Sequence, residues 1–153
     1  MEKVPSSFRM MSGMDFVNDV LMGKAPEKLT SYFDGNRYIQ HNPAIANGLD
    51  GLGAALKWMA ENNMVMVYDK LHLTLAEGDK VLCVSEGKFG AAPGEHVTFY
   101  DIFRLENGKI VDIGTTSRPS LLTASGQILT ENLVFKHQRT PSSTSQMWAK
   151  SEC

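Results

Sequence analysis

The sequence predicts an α+β fold, with helices packed on one face of a curved, mostly antiparallel sheet, and three observations carry that expectation. Apolar residues in the first part of the chain, Met14, Val17, Val20 and Leu21 among them, recur at helical spacing. Later, at Leu71, Leu73 and Leu75 and again at Val97, Phe99, Phe103 and Leu105, they recur at every second position, the period of a half-buried strand. Turn formers separate the alternating runs: Glu77-Gly78-Asp79-Lys80 and Asn107-Gly108. Helices followed by hairpin-linked strands define this class.

Taken in order, Ser12 to Met22 reads as an amphipathic helix, with Ser12 available as its cap and Gly23 as its stop. Pro26 to Tyr32 reads as a second, short helix with proline in its first turn, and Asp34-Gly35-Asn36 breaks it. Arg37 to Pro43 is extended, because a residue before proline avoids the helical region. Gly48 to Gly53 lacks the Gly-Lys-Ser/Thr of a phosphate loop and is expected to be a loop entering a helix over Leu52 to Asn62. Met64 to Ala76 and Val81 to Phe89 form a hairpin. Val97 to Leu105 and the segment beginning Lys109-Ile110-Val111 form another.

With 153 residues and 42% hydrophobic content, the chain is long enough for one domain with a real core. A net charge of −2 gives no basic footprint for nucleic acid. No apolar run approaches the roughly 20 residues of a membrane helix. The polar start, Met-Glu-Lys-Val-Pro-Ser-Ser, is unlike a secretory signal, so a cytoplasmic protein is expected. Two cysteines, Cys83 in a strand and Cys153 at the end, make neither a disulfide framework nor a metal site. No metal and no cofactor are expected.

The residue that stands out is Asp101. It falls on the apolar stripe of its strand, where an unpaired charge is too costly to keep, so it is hydrogen-bonded, has a raised pKa or lines a cavity. His41 is either a pocket acid/base or a histidine satisfied by backbone at a strand end. Tyr38 is a core-edge aromatic or a proton donor. His72 and His96 lie opposite the apolar positions of their strands and are expected to be exposed. Arg104 and Glu86 are placed to pair across strands. Cys83 reads as a small buried hydrophobe, and Met59, Met64 and Met66 as core or pocket wall.

Tyr38-Ile39-Gln40-His41-Asn42-Pro43, Gly48, Ala76-Glu77-Gly78-Asp79-Lys80-Val81, Asp101-Ile102-Phe103-Arg104 and Glu106 to Val111 together resemble, in order and spacing, the SnoaL-like branch of the nuclear transport factor 2-like superfamily, over about residues 12–111. The resemblance implies a cone-shaped α+β barrel around a deep apolar pocket, usually in a homodimer. It implies polyketide cyclase, isomerase or epoxide hydrolase chemistry without a cofactor, on a small apolar molecule. His41 and Asp101 are then the expected catalytic residues, with Tyr38, Gln40, Asn42, Phe99 and Phe103 expected to contact substrate. Fold alone does not choose among these activities.

The family pattern continues after Lys-Ile-Val with Glu-His-Trp-Asp, where this chain has Asp112-Ile113-Gly114-Thr115. Loss of a single base from codons for Val-Glu-His-Trp-Asp-Asp yields Val-Asp-Ile-Gly-Thr, so residues 112–153 are either out of frame relative to the family or an ordinary divergent C-terminus that covers the sheet edge or reaches a partner subunit. Sequencing the coding DNA checks it: a shifted frame without His-Trp-Asp at this point ends the idea. The chain accordingly divides into a SnoaL-like domain at 1–111 and a Ser/Thr-rich segment at 112–153, with Ile128 to Val134 able to pair briefly. A sheet ending near Val111 would leave an unpaired edge that recruits a second copy. The alternative to an enzyme is a non-catalytic ligand-binding or dimerisation module that has lost His-Trp-Asp.

Overall fold

The computed structural model describes residues 5–120; segment 128–134, the Ser/Thr-rich run at 140–145 and Cys153 lie outside the described residues. Helix α1 (Ser6–Phe16) continues as a π-helical turn (Val17–Leu21) and is followed by a 3-10 turn (Pro26–Tyr32), strand β1 (Ile39–Gln40) and helix α2 (Gly48–Glu61). Four long strands follow: β2 (Met64–Glu77), β3 (Lys80–Ala91), β4 (Glu95–Glu106) and β5 (Lys109–Pro119).

The first helix begins six residues before the expected cap. Pro5, with its carbonyl free to accept from Phe8 and Arg9 at 3.1 and 3.3 Å, opens it, while the Ser12 hydroxyl bonds the Phe8 carbonyl inside the helix. At its far end the Met22 amide reaches back to the Val17 carbonyl at 2.8 Å, one residue further than in an α-helix. This wide turn leaves Phe16 and Val17 buried side by side. The Phe16 ring meets Tyr32, Phe33 and Phe103 edge-on, with centroids 5.3, 5.7 and 5.3 Å apart. Such edge contacts add about 0.5–1.5 kcal/mol each beyond area burial. They fix the helical layer to β4, and Gly23, at φ 70°, ends the helix as expected.

The glycine-rich stretch is not a loop. Helix α2 starts at Gly48, because Gly48 and Gly51 are sites of close approach: a Cβ on Gly51 would stand 2.0 Å from the Ala46 carbonyl oxygen, and one on Gly48 would stand 2.9 Å from that of Asn36.

The sheet order is β1-β5-β4-β3-β2, with the four long strands antiparallel and β1 parallel to β5. Two irregularities bend β2, between Tyr68 and Lys70 and between Leu71 and Leu73. At the same bend Gly87 of β3 comes so close to β2 that any Cβ would collide with the Val67 carbonyl. The sheet curves but does not close, since no ladder joins β1 to β2 among the described residues, so the wall is an open one rather than a complete cone. The expectation that the sheet ends near Val111 is also corrected. β5 continues to Pro119 and pairs with β4 along its length, because Ile110 and Ile113 supply the buried side of a strand.

Inner and outer faces follow from register. Val81, Cys83, Ser85, Val97, Phe99, Asp101, Phe103, Leu105, Ile110 and Ile113 are all buried and make the inner face. One core cluster gathers Phe16, Val17, Phe33 and Tyr38 on it, and a smaller one joins Tyr68, Val97 and Phe99 with Leu21, Met22 and Met66. Cys83 is a fully buried thiol whose pKa burial pushes up to about 11, and it packs as the hydrophobe that its position implies. Met59, Met64 and Met66 are half-buried, Met66 against the smaller cluster.

Candidate active site

Asp101 sits at the centre of β4 with 1% of its surface exposed and its side chain on the inner face. Its neighbours across the sheet are Cys83 on β3 and Thr115 on β5. Oδ1 accepts two hydrogen bonds, from the Thr115 hydroxyl at 2.7 Å and from the Tyr68 hydroxyl at 3.2 Å. Oδ2 is buried with no partner among the described residues. Burial pushes the carboxyl up to about 6 from 3.8, and the two donors, Thr115 first, hold it from rising further. Near neutrality the group therefore stands close to its own midpoint, the condition under which a carboxyl serves as donor and as acceptor.

Tyr68 is well placed for its part. Its ring stacks on Phe99 with centroids 4.1 Å apart and planes 17° from parallel, which fixes the hydroxyl over Oδ1. Burial first, then the Asp101 charge, drives the phenol pKa far upward, so it remains a donor. Two further buried hydroxyls, Ser85 Oγ and Tyr38 OH, make no well-formed hydrogen bond among the described residues. Burial raises the Tyr38 pKa, with the nearby Gln40 opposing. Unsatisfied buried polar atoms are few in proteins, and these two hydroxyls share the inner face with Asp101 Oδ2.

His41 is elsewhere. Ile39 of β1 pairs with Asp112 and Gln40 with Ile113, so by strict alternation His41 points with Asp112 to the outer face while Gln40 points inward. Its Nε2 lies 3.4 Å from Asp112 Oδ1, with 59% of the side chain exposed. Asp112 in turn receives Arg104 Nε, and Arg104 also reaches Glu106 and lies 4.0 Å from Asp79. The expected His41–Asp101 pair is thus not assembled: the two residues stand on opposite faces of the sheet.

Of the expected substrate contacts, Tyr38, Phe99 and Phe103 are buried on the inner side. Gln40 and Asn42 are half-buried and committed to their own loop. The Gln40 side-chain oxygen accepts from the Asn42 amide at 3.1 Å, and that of Asn42 accepts from the Ala44 amide at 3.0 Å, an Asx turn ahead of Pro43. The expected Arg104–Glu86 pair does not form, because Arg104 lies opposite Lys80 and Glu86 opposite Thr98, six positions apart along β3. Glu86 instead faces His72, whose Nε2 is 3.0 Å from Oε2, near enough for an ion pair though not aligned as a hydrogen bond. His72 is consequently not exposed, since the β2 bulge tucks it against Glu86, and His96 is half-buried with Nδ1 covered. Among the described residues no group of three His, Cys, Asp or Glu side chains is arranged to hold a metal ion.

Sequence reasoning missed Tyr68, Ser85 and Thr115. Tyr68 was hidden by the bulge that shifts alternation between it and Leu71. Ser85 carried a signal, since it falls on the same alternating face as Val81 and Cys83.

The fold has known counterparts. The family model described as a SnoaL-like domain matches residues 15–113, and the chain belongs to that family. Comparison with curated proteins finds no match. Among solved structures, a protein of unknown function with a cystatin-like fold from Xanthomonas campestris is 21% identical, with TM-score 0.59, covering 71% of this chain and 89% of that one. An epoxide hydrolase of the LEH-like type from M. tuberculosis is 16% identical, with TM-score 0.54 over 74% and 84%. An NTF2-like protein from Burkholderia xenovorans is 18% identical, with TM-score 0.55 over 74% and 92%. At these identities the likeness is one of fold, and it agrees with the curved sheet and helical layer described above. No helix among the described residues is long and apolar enough to cross a membrane.

Proposed function

We propose that this chain is a cofactor-independent acid–base protein acting on a small apolar molecule, with Asp101 as the working group. The observation that carries the reading is the asymmetry of the carboxyl: one oxygen is held by two hydroxyls and the other is bare, in a buried position that brings its pKa to about 6. An apolar wall of Phe99, Phe103 and Tyr38 suits a hydrophobic substrate, and the bare oxygen suits transfer of one proton to or from it. Cyclisation, isomerisation and epoxide opening each need such a group, and a structural neighbour is an epoxide hydrolase. A thermal-shift screen of polyketides, epoxides and terpenoids identifies binders, and turnover of those binders is then compared with Asp101→Asn. Turnover that survives this substitution overturns the reading.

The separation of His41 from Asp101 favours a second reading, a ligand-binding module without chemistry, because a lone acid has no partner to take the opposite proton. Binding that raises the melting temperature with no turnover of any binder selects it.

We infer further that the protein acts as a cytoplasmic homodimer through the outer face. Leu75, Leu82 and Ile102 line up across three strands there, and Leu75 and Ile102 are each about half exposed. A second copy covers such rows with its own. Light scattering of the wild type and of Ile102→Lys tests it: a monomeric wild-type mass at micromolar concentration rejects the dimer.

A further inference from the structure

The two donors on Asp101 Oδ1 differ in one respect that decides how anything reaches the acid. Tyr68 is buried and pinned on Phe99, whereas Thr115, although its hydroxyl touches Asp101, is an exposed residue. Ser117, the next inner-face position of β5, is only half-buried. The inner face is therefore sealed on the β2–β3 side of Asp101 and open on the β5 side. We propose that ligands reach Asp101 past Thr115, and that Thr115 is the positioning residue of the site, holding Oδ1 so that Oδ2 is the oxygen left to meet the ligand.

The geometry supports both halves. Asp101 and Thr115 are directly opposed across β4 and β5, so the Thr115 side chain stands on the solvent side of the carboxyl at 2.7 Å. A threonine turns about a single bond, so its side chain can swing aside while the stacked Tyr68 still holds Oδ1. Oδ2 itself is completely covered in the resting arrangement, so something has to move for it to be reached, and among the described residues Thr115 is the one hydrogen-bond partner of Asp101 that adjoins solvent. The titratable groups facing Asp101 are Tyr68 on β2 and Cys83 on β3, both themselves shifted upward and neutral near neutral pH. This inference rests on Asp101 being the working group.

The test uses the full chain and nitrophenyl glycidyl ether as a carboxylate probe. The ionised carboxylate of Asp101 attacks an epoxide carbon, the ring carbon–oxygen bond breaks, and the released alkoxide takes a proton from water, leaving an ester that mass spectrometry localises. The wild type is expected to be esterified at Asp101, with a rate that rises with pH through the Asp101 midpoint. Thr115→Trp slows labelling at least about tenfold and Thr115→Ala accelerates it, while Thr115→Ser restores the wild-type rate. In parallel, carbon NMR of the Asp101 carboxyl in Thr115→Val shows its midpoint higher by about one pH unit, the loss of one hydrogen bond to the ionised form, and Thr115→Ser returns it. Position 115 is exposed, so these variants retain the fold. No ester at Asp101 in the wild type, or an unchanged rate in Thr115→Trp, overturns the proposal. If labelling follows position 115 as stated but no binder is ever turned over, the entrance stands and the catalytic reading falls.

Discussion

Two carboxylates of neighbouring strands, Asp101 on β4 and Asp112 on β5, have opposite fates. Asp101 lies inside with two neutral hydroxyls as partners, and burial dominates its pKa. Asp112 lies outside, half-buried, in reach of Arg104 and of the exposed His41. A charge that has a guanidinium beside it at the edge of the solvent is settled, and such a pair contributes little, under about 1 kcal/mol. A carboxyl held only by neutral donors keeps an unmet demand, and unmet demand is what chemistry can use. The lesson is that reactivity on this sheet follows from the face a residue occupies, more than from the acids and histidines near it in sequence.

The two carboxylates are expected to differ most in kinetics. Asp101→Asn is expected to lower turnover of any true substrate by about 10²- to 10⁴-fold, the usual contribution of positioned proton transfer, while Asp112→Asn leaves it within a few-fold. Steady-state assays of both variants on one substrate decide it, and equal losses would erase the distinction between the faces.

The next effect is on stability against pH. Because the folded pKa of Asp101 is raised to about 6 from 3.8, its stabilising contribution is complete below the unfolded value and is lost as pH rises through the folded one. The difference between the two plateaus is about 3 kcal/mol. Urea unfolding at pH values below 3.8 and above 6 should therefore show Asp101→Asn gaining on the wild type in the higher range, and parallel curves for the two proteins would contradict the assigned burial cost.

The smallest effect is expected at His41. His41→Ala should shift stability by less than about 0.5 kcal/mol, the ordinary range for an exposed site, and leave turnover unchanged. A loss of activity comparable with that of Asp101→Asn would mean that the outer cluster takes part after all.

Much of this was legible in the sequence. Alternation alone put Phe99, Asp101 and Phe103 on one buried face, and the turn chemistry of Asn107-Gly108, with φ values of 49° and 76°, put the return strand beside it. What sequence could not supply was the count of residues past that turn. A regular two-residue hairpin would set Phe103 opposite Asp112 and Asp101 opposite Gly114. Instead the ladder slips between Arg104 and Leu105, and Phe103 faces Ile113 while Asp101 faces Thr115. That slip moves Asp112 outward and brings Thr115 in. The same blindness to register hid the side of His41, because a two-residue strand such as β1 has no periodicity of its own and takes its orientation from β5. β5 likewise runs on past Val111, with Ile113 buried at an inward position.

The extra residue in β5 is Val111, half-buried and without a partner in the β4 ladder. Its consequence is an asymmetry in which single-codon deletions the gene can survive. Deleting Val111 removes the bulge and leaves every cross-strand partner of β4 in place, with Ile110 inside and Asp112 outside as before. Deleting Ile102 from β4 reverses the parity on one side of the cut and turns either Asp101 or Phe103 toward water. Val111 and Ile102, apolar residues of adjacent strands, thus differ in whether the sheet tolerates their loss.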